Sequence, residues 1–188
     1  MAMEAMAEME KLTDVIFFDT DCLSSFIVVH RENVLLQVCG NNIKIPQIVI
    51  EELKAAPDIY NSIDVYIKKG KIGIIDFDFG DEVYKLYEKL TASPDKGHKI
   101  IGDGEAAVLA LAKVNNGVVA SNNLKDIANY IKEYNLKYIT TGEILREALK
   151  LNIIDEKTGN KIWNDMKQNK RFLPDGSFSD YIKTPFKI

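Results

Sequence analysis

Two carboxylates, Asp19 and Asp21, stand directly behind the apolar run VIFF at 15–18. If the chain stays extended there, side-chain alternation turns both acids to one side. A second pair, Glu51 and Glu52, lies one helical turn past Pro46, and a third, Asp103 and Glu105, heads the apolar run AAVLALA. Ser121, Asn122, Asn123 and Asp126 form a fourth polar cluster, after the run VVA. Each acid also has an ordinary reading, as a helix cap or as a partner of the positive end of a helix. Gathered in one cleft, however, three or more carboxylates repel one another unless a cation neutralises them. Oxygen donors without His or Cys favour Mg²⁺ or Mn²⁺ over zinc and copper. The two histidines, His30 and His98, have no ligand-like spacing and read as surface or packing residues.

Such a cleft needs elements that bring distant residues together. Short apolar runs at 15–18, 42–46, 72–77, 117–121 and 136–140 read as strands. Between them lie segments with apolar residues three and four apart, and a last helix is expected over about 155–169. The alternation predicts β-α-β units, hence a three-layer α/β/α sandwich around a mostly parallel sheet. Ligands of such sheets bind at the carboxyl ends of the strands, where chain order reverses. Those ends are where the acids fall.

The expected organisation is a disordered start or expression remnant at 1–13, a single domain over 14–172 with C-terminal helices from about 141, and an irregular tail at 173–188. A chain of 188 residues, 46% hydrophobic, can bury one sizeable core. Cys22 and Cys39 are too few for a disulfide framework and read as reduced thiols, which suggests the cytoplasm. No apolar run reaches the roughly 20 residues that span a bilayer, so no membrane association is expected. The net charge of −4 argues against broad attraction to nucleic acid. Local basic patches exist at 66–71 (YIKKGK) and 167–171 (KQNKR).

The order FFDTD, EEL, GEAAVLALA and a strand ending in SNN resembles the PIN domain family over roughly 14–150. The extension LREALKLNIIDEKTGNKIWNDMK looks like the C-terminal helices of PIN-like proteins with a "GE" third motif. The resemblance implies a metal-dependent endoribonuclease with the sandwich fold, often the toxin of a toxin-antitoxin pair. It places the family's first three acids on Asp19, Glu52 and Glu105, with Mg²⁺ or Mn²⁺ between them. Asp103 is close enough to act as a further ligand, and Asp21 to assist. Where the family has a fourth acid this chain has Asn122 and Asn123 after Ser121, and Asp126, one turn on, could substitute. Single-stranded or loop RNA is the implied substrate. An antitoxin laid across a hydrophobic groove near the cleft and a homodimer are the implied partners.

Two other readings are open. A non-catalytic PIN-like scaffold binding RNA or protein would account for the missing fourth acid. A haloacid dehalogenase-type phosphatase would use FFDTD as nucleophile and acid and GDG as metal loop, but Leu23, Ala106 and Ala107 depart from its pattern.

Overall fold

The computed structural model describes residues 14–184, so the expectation for 1–13 lies outside the described residues. Five strands form one parallel sheet: β1 (Ile16–Phe18), β2 (Ile43–Pro46), β3 (Gly73–Ile75), β4 (Val118–Ala120) and β5 (Lys137–Ile139). Their order is β3-β2-β1-β4-β5. Residues 16–18 and 118–120 are all buried, although alternate side chains point to opposite faces. Both faces of the central sheet are therefore covered, as expected for the predicted sandwich.

The helices are α1 (Thr20–Ile27), α2 (Glu32–Cys39), α3 (Gln47–Lys54), α4 (Pro57–Lys68), α5 (Glu82–Ala92), α6 (Asp103–Val114), α7 (Leu124–Glu133), α8 (Thr141–Lys150), α9 (Glu156–Gln168) and α10 (Phe178–Lys183). Among the described residues none is long and apolar enough to cross a membrane. α6 is buried from Ala106 to Ala112 because its four alanines let it approach β1, β4 and β2 closely.

The chain builds outward from β1 to β2 and β3, then returns to the other side of β1 with β4 and β5. Chain order thus reverses between β1 and β4. The register Phe18↔Ala120 sets their carboxyl ends side by side.

The tail departs from expectation, because 178–183 is helical. A six-residue helix has little intrinsic stability, so local pattern underestimates it. Ser177 and Asp180 close a capping box on it, and Phe178 is fully buried beside Trp163, with ring centroids 6.0 Å apart. Trp163 is itself buried and donates to the Gly176 carbonyl at 3.1 Å. Cys22 and Cys39 are buried and free.

Candidate functional site

At the reversal point an open cleft of about 730 Å³ is lined by Asp19, Asp21, Glu52, Glu105 and Asp126. β1 ends at Phe18, and Asp19 is extended (φ −82°, ψ 159°) and caps α1. The helix starts at once, so Asp21 lies inside its first turn and not two residues along a strand. The expectation of an extended DTD segment fails for that reason, yet both carboxylates still reach the cleft.

Asp19 is 5% exposed. Its Oδ1 accepts from the Thr20 N–H at 2.7 Å and its Oδ2 from the Ser121 hydroxyl at 3.1 Å. Burial, with Asp21 and then Glu105 nearby, pushes its pKa up to about 8, and those two hydrogen bonds offset only part of the rise. Asp21 is also shifted up, by burial first. The Asn122 N–H, 3.2 Å from both its carboxylate oxygens, pulls the other way, as does the charge of Arg171.

The two remaining pairs are each divided by helix geometry. Residues one position apart on a helix differ by about 100° and two positions apart by about 200°. Only one of each pair can face the cleft. Glu52 does, held by the Thr20 hydroxyl at 2.6 Å, while Glu51 faces solvent with Lys54 and Gln47. Glu105 does, folded back on the Gly102 N–H at 2.9 Å. Asp103, expected as a further metal ligand, is instead turned to the Tyr87 hydroxyl at 2.9 Å and lies outside the cleft lining.

The asparagines have separate tasks. The Asn122 side chain ties β4 to the start of α8, donating to the Thr141 hydroxyl and accepting from the Thr141 N–H, both at 2.9 Å. Its amide oxygen thus already accepts one hydrogen bond. The Asn123 amide nitrogen donates to Glu105 Oε1 and, at 2.8 Å, to Asp126 Oδ2. Asp126 lines the cleft and is tied to Glu105 through Asn123. Ser121 is buried between them, donating to Asp19 and accepting from the Asn123 N–H.

Thr20, Ser24, Lys125, Arg171 and Phe172 also line the cleft and were not singled out as site residues from the sequence. Arg171 had a signal, as the last residue of the basic run 167–171. The rest of that run divides, and Lys167 is spent on the Pro174 and Gly176 carbonyls. His30 is exposed and His98 pairs with Glu133 and Tyr130, neither of them at the cleft.

The donor set is all oxygen and suits a hard cation. Among the described residues, no three His, Cys, Asp or Glu side chains stand close enough together to enclose a metal as they lie. Ser121, Thr20, Gly102 and Asn123 each engage one of the acids. The GDG phosphatase reading fails on geometry, since Asp103 is aimed away from Asp19 and Asp21.

No curated protein matches the sequence. Among solved structures, the fold is similar to a chain of VapBC2 from Rickettsia felis, crystallised bound to a DNA fragment from their promoter. Identity is 22% and the TM-score 0.50, covering 66% of this chain and 97% of that one. At that identity the likeness shows a shared fold. A family model described as PIN domain matches residues 15–184 and includes all five strands, the acidic cleft and α10. The chain therefore belongs to the PIN domain family.

Proposed function

We propose that this protein is a divalent-metal-dependent endoribonuclease that hydrolyses RNA phosphodiester bonds in the acidic cleft. One observation carries the reading. Asp19, Glu52 and Glu105, which follow β1, follow β2 and head α6, line a single cleft in which Asp19 is buried against the charge of its neighbours. Asp19, Glu52 and Glu105 would hold the Mg²⁺ or Mn²⁺, which supplies charge neutralisation at the phosphate and an activated water.

The chain's own residues orient those acids. Ser121 and the Thr20 N–H fix Asp19, the Thr20 hydroxyl fixes Glu52, and the Gly102 N–H fixes Glu105. Asn123 stabilises Glu105 and Asp126 without adding charge. The open cleft suits single-stranded or looped RNA, whose backbone can be splayed into it. The same reading makes the protein a cytoplasmic toxin silenced by an antitoxin, and a candidate homodimer.

The test is incubation of the purified protein with single-stranded RNA in Mg²⁺ or Mn²⁺. Cleavage is expected, and Asp19→Asn should abolish it. Equal cleavage in chelator, or unchanged cleavage by that variant, would refute the proposal. A second reading, a non-catalytic scaffold, draws on Asn123 standing where the family has an acid. It predicts RNA or protein binding with no cleavage under any metal. Suppression of cleavage by the product of an adjacent gene tests the toxin assignment.

A further inference from the structure

The cleft is not lined by acids alone. Arg171, Phe172 and Lys125 lie on the same lining as the carboxylates. Arg171 is fixed where α9 ends: its N–H bonds the Met166 carbonyl at 3.0 Å, its Nε the Asn169 carbonyl at 3.0 Å and its Nη1 the Ser24 hydroxyl at 3.1 Å. Phe172 follows it with 77% of its surface exposed, although nearly every other phenylalanine described is buried or packed on the core. Phe172 also borders a second groove of about 190 Å³, shared with Leu124 and continuing to Leu173 and Pro174.

A cleft lined by carboxylates repels a polyanion, so a nucleic-acid strand needs cations beside them to enter. A guanidinium fork matches phosphate geometry, and an exposed ring offers a base a stacking surface whatever its identity. The second groove is too small for a helix about 10 Å across but has room beside Phe172 for a planar ring. These features favour a nucleotide over a protein segment.

We propose, resting on the ribonuclease reading, that Arg171 and Phe172 form a substrate-positioning subsite. Arg171 takes a backbone phosphate of single-stranded RNA and Phe172 stacks the adjoining base, with Lys125 as a second cation in the lining. Arg171 and Phe172 lie in the segment after α9, outside the short motifs that carry the acids. It would select unpaired over duplex RNA, because a base inside a helix cannot reach the ring.

The test measures binding of a fluorescein-labelled oligouridylate to the full-length Asp19→Asn protein in Mg²⁺ across a range of salt. Phe172→Ala is expected to weaken binding about tenfold with the salt slope unchanged, and Phe172→Trp to restore it. Arg171→Ala should lower the slope of log K against log salt by about 0.7, the value for one phosphate contact on a single strand. Phe79→Ala, on an exposed ring away from the cleft, should change neither. Parent-like affinity and slope in both Phe172→Ala and Arg171→Ala would overturn the subsite while leaving the ribonuclease reading standing. A protein that neither binds nor cleaves RNA before substitution would overturn both. Loss of a defined protein partner in Phe172→Ala with RNA affinity intact would assign the ring to a protein interface and also overturn the proposal.

Discussion

The Glu52 carboxylate rests on Gly104: a Cβ at position 104 would stand 2.9 Å from both Oε1 and Oε2. Glycine at the second position of α6 thus lets an acid from α3 lie against the start of α6, where helix N–H groups favour negative charge.

Gly104→Ala should therefore separate stability from activity. The displaced atoms belong to the end of a flexible side chain, and Gly to Ala in a helix gains roughly 0.5–1 kcal/mol. Thermal unfolding should hold or rise slightly while divalent-dependent cleavage falls about tenfold or more. Unchanged cleavage in a folded Gly104→Ala protein would show that Glu52 need not sit there.

Asp19 makes stability depend on pH. Its pKa moves from an ordinary 3.8 to about 8 in the folded, metal-free protein. Between those values the folded state holds a proton that the unfolded chain has released, so stability declines as pH rises from about 4 to 8. Asp19→Asn removes that dependence. In chelator the variant should melt above the parent at pH 8, with the gap closing towards pH 4. A gap that widens on acidification would contradict the sign.

Metal binding should oppose this trend, because the carboxylate must lose its proton to serve as a ligand. The rise in melting temperature produced by Mn²⁺ should grow between pH 6 and pH 8 and vanish in Asp19→Asn. A pH-independent rise, or one that survives in the variant, would place the ion elsewhere.

Asn123→Asp would remove the amide that donates to Glu105 and Asp126 and set a third carboxylate beside them. Loss of these charge-assisted contacts should cost roughly 1–3 kcal/mol without metal. Divalent ions should recover it and bind more tightly than to the parent. Titration calorimetry and melting in chelator check both halves, and identical behaviour in the two proteins would remove Asn123 from the site's electrostatics.

Phe178→Ala tests whether the C-terminal segment belongs to the fold. The ring is fully buried, and a Cβ on Gly159 would overlap it. Truncating a buried Phe costs about 3–5 kcal/mol, which urea unfolding would register as a large drop in midpoint. A shift under about 1 kcal/mol would mean that α10 is dispensable.

Much of the fold was legible from local pattern. Each of the five strands falls inside a run read from the sequence. The central strands β1 and β4 are buried throughout and hence continuous in apolar residues, whereas the edge strands β3 and β5 are only partly buried. The helix over Phe178–Lys183 was missed, although the spacing of Ser177 and Asp180 carried its capping signal. Six residues are too few for a periodicity argument, and packing on Gly159 and Trp163 supplies what propensity lacks.

For the site, the sequence by itself determined that acids follow strand-like runs or head an apolar helical run, since residue type and position along the chain are local facts. Which acid of each pair turns inward was decided by the tertiary structure. Asp19 caps α1 where an extended segment was expected, Glu52 faces the cleft and Glu51 does not, and Tyr87 holds Asp103 away. The contact of Ser121 with Asp19 spans 102 positions and exists only because the sheet sets β4 beside β1. Arg171 and Phe172 reach the cleft from the far end of α9 in the same way. A side chain's direction depends on the phase at which a strand of period two becomes a helix of period 3.6, and its neighbours depend on which elements pack together; neither is recorded in the spacing of residues along the chain.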